Sequence, residues 1–283
     1  MIKWLLAALL LVSCQPQLER PVFLSKTGNE AALIYGEDDR QLWRDTSGSY
    51  PHLQRAAAAT AAIVLNSSSQ EYLLGETMVL CEGERFTQET AWSDCTGVLI
   101  EKDVLLTAGH CVSDKNACAQ MRIFFNYHKN PLEAEGPYTC QKILASENGL
   151  KNSGDFALIK LDRSVTQIIP VSLAKDYKSA KTLWSLSHPL GMPLMLSPAE
   201  FLESKNESYF TVATDTFKGS SGSPLFNERS EVVGILSRGG RDIDEDELYE
   251  AQQSGGCVRF RRCKTGTCFG ETYYKTQNLI TVK

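Results

Sequence analysis

Beyond its first dozen residues the chain has no apolar run approaching the ~20 residues that cross a bilayer, so any membrane attachment falls to the N-terminus. It has no basic excess either: 29 Lys and Arg stand against 34 Asp and Glu, a net charge of −5. Phosphate backbones are gripped by basic stripes, so a nucleic-acid partner is excluded. No internal repeat of solenoid length appears. There are no paired Cys-x-x-Cys knuckles, the spacing that structural zinc favours. Histidine is scarce, four in 283 residues, and the last is His188. The strongly acidic run Asp242–Glu250 has no ligand spacing of a calcium loop and reads as a solvated loop. No metal and no cofactor is expected.

What the chain does have is a series of short apolar runs separated by turn residues. Val98–Ile100, Val104–Thr107, Met121–Phe125, Phe156–Ile159, Tyr209–Val212 and Val232–Leu236 are examples. Short strands at this spacing predict an all-β barrel or sandwich. Ala56–Ala62 suits a short helix, though its alanines are also tolerated in a first strand. The length is enough for one large domain or two small ones.

The N-terminus carries Lys3 and then an apolar core, Trp4–Val12, too short to span a membrane. Leu11-Val12-Ser13-Cys14 resembles the bacterial lipobox. That resemblance implies a signal peptide over 1–13, a lipid on Cys14 and a polar tether over 14–33. Gln15, in place of Asp, implies the outer membrane of a diderm bacterium, with the protein facing the periplasm or the surface. Nine cysteines less Cys14 leave eight, and an even set in an exported chain reads as disulfides. Zinc at Cys263 and Cys268 is the competing reading.

Three segments carry chemistry, in fixed order: Thr107-Ala108-Gly109-His110-Cys111, Gly154-Asp155-Phe156-Ala157-Leu158-Ile159, and Gly219-Ser220-Ser221-Gly222-Ser223-Pro224. A hydroxyl is a poor nucleophile at neutral pH. It needs a base within hydrogen-bond reach, and the base needs a partner that fixes its tautomer. Histidine suits the base because its ordinary pKa lies near neutrality. A carboxylate suits the partner, with Asp162 the alternative to Asp155. Glycines beside a serine let the backbone turn tightly and present N–H groups to a developing oxyanion.

These segments resemble the histidine, aspartate and serine motifs of trypsin-like serine peptidases. The Gly-x-Ser-Gly-Ser-Pro form resembles the bacterial glutamyl endopeptidases, as does Ile34-Tyr35-Gly36-Glu37-Asp38-Asp39-Arg40. The resemblance spans roughly residues 34 to 240. It implies two six-stranded antiparallel β-barrels with the active site between them, the first over 34–168 with His110 and Asp155. The second, over 169–283, would hold Ser221 and a cysteine-rich tail. It implies His110 as base, Asp155 as its orienter, Ser221 as nucleophile, and the N–H groups of Gly219 and Ser221 as oxyanion hole. It also implies a disulfide between Cys95 and Cys111, and substrate-binding roles for Ser237 and Gly239 beside the primary pocket. The six other cysteines have no pairing that the sequence selects. An α/β-hydrolase is excluded, because its histidine follows its serine.

Asp215, six residues before Ser221, falls where the family places the floor of the primary pocket, and implies cleavage after Arg or Lys. The glutamyl preference loses support, since Leu236-Ser237 stand where a histidine is needed. Ser220 replaces the aspartate that receives a freed α-amine in trypsin zymogens. Arg40 and Arg55 are candidate cleavage points, but with no charge at Ser220 the uncut chain is expected to be active. The expected protein is a monomeric serine endopeptidase acting on proteins or peptides. A catalytically silent homologue that binds peptides or a partner protein is the alternative.

Overall fold

The computed structural model describes residues 34–65, 80–149, 154–239, 256–257, 259–263 and 268–280, with the backbone alone at 72–73. The leader, Cys14 with its tether, and the acidic run 242–250 lie outside the described residues. The strands in chain order are β1 (Gln41–Leu42), β2 (Thr60–Val64), β3 (Tyr72–Leu73), β4 (Thr90–Ala91), β5 (Cys95–Glu101), β6 (Val104–Thr107), β7 (Arg122–Phe125), β8 (Glu135–Asn148) and β9 (Asp155–Leu161). They continue with β10 (Leu183–Ser187), β11 (Met195–Ser204), β12 (Tyr209–Ala213), β13 (Pro224–Asn227), β14 (Val232–Arg238) and β15 (Glu271–Lys275).

Six of these close a first barrel in the order β2-β5-β6-β9-β8-β7. A second ring runs β11-β10-β13-β14-β15-β12 and closes through β11–β12 pairing, with β1 added on the outer side of β11. Every inter-strand ladder in the two barrels is antiparallel. The chain therefore has the chymotrypsin-like architecture. Closure leaves neither barrel with an unpaired edge.

The sequence pattern accounts for the strands locally. In β7 Ile123 and Phe125 are buried while Arg122 and Phe124 are half-exposed, the alternation of a strand with one face inward. β6 is buried throughout because both its faces are covered, with Val104–Leu106 apolar and the Thr107 hydroxyl donating to the Thr96 carbonyl at 2.7 Å. The alanine run does both things expected of it: Gln54–Ala59 is a short helix, and β2 follows at once. Thr60 stops the helix, its hydroxyl donating to the Ala56 carbonyl at 2.9 Å while its backbone turns extended.

Four apolar clusters hold the fold, the smallest around Tyr35, Ala213 and Cys268. The largest fills the first barrel and runs across the interface to Leu186, Leu196, Phe226 and Tyr274. A second, with Phe210, Leu225, Val233 and Tyr273, fills the second barrel. A third lies outside both rings and joins Ile34 and Leu42 to Met192, Met195, Phe217 and Phe260. Residues 34–42 thus precede the first barrel in sequence but pack on the second, where the sequence reading had placed them with the first.

Four disulfides are formed: Cys81–Cys257, Cys95–Cys111, Cys118–Cys140 and Cys263–Cys268. Cys263 and Cys268 bond each other, and no cluster of metal-ligating side chains exists among the described residues. Nor is any helix among them long and apolar enough to cross a membrane. In the chain-entropy model a bridge closing a separation of 176 contributes about 5 kcal/mol, one of 16 about 3 and one of 5 about 2. Replacing each pair with alanines should lower the urea midpoint in that order, Cys81/Cys257 most and Cys263/Cys268 least. Equal losses for those two pairs would contradict it.

Candidate active site

Asp155 opens β9, buried at 5% exposure, and takes three donors. The backbone N–H of His110 reaches Oδ1 at 3.0 Å, ring Nδ1 of His110 lies 2.9 Å from Oδ2, and the hydroxyl of Ser237 donates to Oδ2 at 2.7 Å. Ser237 occupies the register break between Leu236 and Arg238 in the β14–β15 ladder, and that bulge turns its hydroxyl inward. Burial alone would raise the pKa of Asp155. The hydrogen bonds from His110 and Ser237, and the charge on His110, hold it below the ordinary value instead. With Nδ1–H given to a carboxylate, Nε2 is the ring atom left to accept a proton. Asp162 is elsewhere: it accepts from the Thr139 N–H at 2.9 Å and pairs with Arg163 near the surface.

The serine turn precedes β13 and is held against the histidine turn. Thr96 of β5 donates its N–H to the Ser221 carbonyl at 2.8 Å and its hydroxyl to the Gly219 carbonyl at 2.9 Å. Sγ of Cys111 lies 3.8 Å from the Ser221 carbonyl oxygen. The Cys95–Cys111 bridge is therefore wedged between His110, which adjoins Cys111 in sequence, and Ser221, which touches it. Within the turn, Ser220 N–H donates to Phe217, Gly222 N–H to Leu236 and Ser223 N–H to Ser220. Among the described residues nothing accepts from the N–H of Gly219 or Ser221. Two untied N–H groups on one turn make a concavity that receives negative charge. Gly219 and Gly222 have φ of 92° and 80°, which glycine adopts without strain. A Cβ at Gly219 would also stand 2.6 Å from the His188 carbonyl oxygen. His188 itself is buried, stacks on Tyr127, and has Nδ1 2.9 Å from the Met192 carbonyl oxygen. Burial pushes its pKa down to about 3, so it stays neutral and structural.

The pocket wall is built differently from the expectation. Asp215 is 2% exposed, and both its oxygens are taken: Oδ1 accepts from the Tyr35 N–H at 2.8 Å and Oδ2 from the Asp39 N–H at 3.1 Å. Burial and the charges of Asp39 and Asp38 raise its pKa, and against the smaller lowering effects of the Tyr35 N–H and the Arg40 charge it stands at about 7. A carboxylate engaged by two main-chain donors is not the open receptor that Asp215 was expected to be. The acid beside the wall residue Gly239 is Glu271 of β15: a side chain at Gly239 would overlap its carboxylate. Glu271 accepts from the Thr216 hydroxyl at 2.7 Å and from the Tyr35 hydroxyl at 3.0 Å. Ser237, the other wall residue, is buried against Asp155.

Glu271 and Thr96 are not marked by any sequence motif, and Arg40 has another setting than the sequence suggests. Glu271-Thr272-Tyr273-Tyr274-Lys275 reads as a strand in the tail that was left without a role, a signal available but unused. Thr96 is marked by nothing except its place after Cys95. Arg40, expected as an accessible cleavage point, is fully buried. The reason is its setting between Asp38 and three phenylalanine rings, described below.

Comparison with known proteins agrees with this geometry. The trypsin-like peptidase domain model matches residues 95–235, a span that includes His110, Asp155 and Ser221. Granzyme M of Rattus norvegicus is 29% identical over 185 residues, covering 53% of this chain and 70% of granzyme M. The Vibrio cholerae VesB protease superposes with a TM-score of 0.52 at 17% identity, over 81% of this chain and 64% of the VesB chain. This chain thus spans less than two thirds of that solved structure, and the likeness speaks to the fold. With its closed antiparallel barrels and its match to the trypsin-like peptidase domain, the chain has the chymotrypsin fold and is similar to the trypsin-like peptidases.

Proposed function

We propose that the chain is a serine endopeptidase that hydrolyses protein and peptide substrates through an acyl-enzyme on Ser221. The observation that carries this is the His110 Nδ1 to Asp155 Oδ2 approach of 2.9 Å, beside a serine turn whose Gly219 and Ser221 N–H groups are untied. In this reading Nε2 of His110 removes the Ser221 proton as Oγ attacks the scissile carbonyl, and later gives it to the leaving amine. Asp155 holds the tautomer and stabilises the imidazolium. The N–H groups of Gly219 and Ser221 receive the oxyanion, and Ser237–Gly239 pairs with substrate backbone as an added strand.

We further propose a preference for Lys or Arg before the scissile bond, from the carboxylate of Glu271 beside Gly239, whose present donors are two hydroxyls that an arriving cation would displace more readily than the main-chain N–H groups held by Asp215. A cationic side chain answers a buried carboxylate better than a neutral one does. The likeness to bacterial glutamyl endopeptidases then concerns framework and not substrate. Export with a lipid on Cys14 and a tether over 14–33 is proposed from the lipobox resemblance. The four disulfides support export, since they belong to an oxidising compartment. The outer membrane and a monomeric state are part of the same proposal.

Three outcomes test these readings. A fluorophosphonate probe should label the wild type and not Ser221→Ala, and Ser221→Ala or His110→Ala should lose about 10⁴-fold or more in kcat. Absence of wild-type labelling would favour the silent homologue. On fluorogenic peptides differing only before the scissile bond, Glu271→Gln should cut kcat/KM for Lys and Arg about tenfold relative to Leu, the scale of one hydrogen bond to a charged group. A wild type that prefers Glu or an aromatic residue overturns the specificity. An alkynyl fatty acid fed to expressing cells should enter the wild type and not Cys14→Ala; incorporation into both variants would refute the anchor.

A further inference from the structure

Residues 34–42 form a strap across the outside of the second barrel. Its start is fixed by the Ile34 N–H donating to the Arg261 carbonyl at 3.3 Å and by the Cys263 N–H donating to the Ile34 carbonyl at 2.7 Å. Its end is β1, in register with Met195 and Leu196 of β11. Between these anchors the strap bears on the serine turn at two points. Asp215 receives the Tyr35 and Asp39 N–H groups, as described above. Two residues further on, Phe217 lies under the guanidinium of Arg40, with the central carbon 4.0 Å from the ring centroid.

Arg40 is unusual in every respect. Its side chain is 0% exposed. It forks onto Asp38 with Nε to Oδ1 at 2.8 Å and Nη2 to Oδ2 at 2.7 Å. Phe86 and Phe260 complete an aromatic box around it, at 5.1 and 5.9 Å. Nη1 has no hydrogen-bond partner among the described residues. A buried donor left unmade costs about 1–3 kcal/mol, and a buried ion pair is often no more stabilising than apolar side chains of the same size. Stability alone is therefore a poor account of Arg40.

Phe217 gives it another meaning, because that residue closes the serine turn. Ser220 N–H donates to the Phe217 carbonyl at 2.9 Å, and Phe217 N–H donates to the Ser220 hydroxyl at 3.3 Å. Pressure on the Phe217 ring is thus transmitted to the peptide groups that flank Gly219. Ser220, the place where a carboxylate would meet a free α-amine, offers no charge to hold the turn from within.

We propose that Arg40 is a positioning residue: with Asp38 and the strap backbone on Asp215 it clamps the Asp215–Ser221 turn from outside, keeping the Gly219 and Ser221 N–H groups presented. The clamp is part of the uncut chain, so the turn is held in the catalytic form without cleavage to release an amine. The inference rests on the reading of Ser221 as nucleophile.

The test uses the full chain and three variants, Arg40→Met, Arg40→Lys and Asp38→Asn, each checked for folding by thermal melt. Folded Arg40→Met should lose about 10- to 100-fold in kcat with KM within about twofold, a part of what removing an oxyanion donor outright costs. A peptide boronate, which forms a tetrahedral adduct on the serine, should weaken in step with kcat, while a product peptide binds as before. Arg40→Lys keeps the charge but not the fork and should recover only part of the loss; Asp38→Asn should fall between. If Arg40→Met fails to fold, the other two carry the same comparison. A folded variant set with unchanged kcat, or with boronate and product affinity falling together, overturns the clamp. A wild type that does not label with fluorophosphonate overturns instead the peptidase reading, so the two failures are distinguishable.

Discussion

A carboxylate withdrawn from water must find donors, and Asp155 finds them on both halves of the molecule. Its own strand, β9, belongs to the first barrel, as does the turn carrying His110. The hydroxyl of Ser237 comes from β14 of the second. This side chain thus joins Thr96 in registering the barrels against each other, and its same three bonds fix the imidazole. Displacing either barrel by an ångström would break a bond to a buried charge, which is far more costly than sliding one apolar surface over another. Placement of the proposed chemistry and docking of the barrels are a single constraint.

Asp215 and Glu271 obey the same rule with different donors. Both reach Tyr35: Asp215 through its backbone N–H and Glu271 through its phenol. One strap residue therefore joins the two acids. Asp215, with Asp38 and Asp39 close by, is pushed up to about 7, whereas Asp155 with three well-aimed donors is held low. Burial raises both; Asp215 is the deeper and has carboxylates beside it, whereas the donors on Asp155 more than offset its burial.

The sequence made the barrels legible because short apolar runs and their turns are local signals: Val104–Thr107 is β6 to the residue, and Phe156–Ile159 lies within β9. His110, Asp155 and Ser221 were legible because each sits in a segment whose flanking residues shape its turn, and the structure brings the first two into direct contact. Asp215 shows the limit. Its offset from Ser221 is visible in the sequence, but what fills its two oxygens comes from Tyr35 and Asp39, far away in the chain. Arg40 failed for the same reason, since Asp38-Asp39-Arg40 reads as a hydrophilic surface run until Phe217 and Phe260 are brought over it. Glu271 lay in a tail that motif reasoning did not reach.

The strap has a consequence for the order in which the molecule is made. It is among the first described segments to be synthesised, yet its seats are on β11, Phe217, Phe260, Arg261 and Cys263. At roughly 5–20 residues per second the first barrel is complete many seconds before the last of those residues emerges from the ribosome or an export channel. In that interval Ile34, Leu42 and Arg40 have nothing to dock on. The newborn chain therefore reaches its finished form only by tucking its beginning under its end, and a product cut short before residue 217, however well its first barrel folds, lacks the serine turn and the seats of the strap alike.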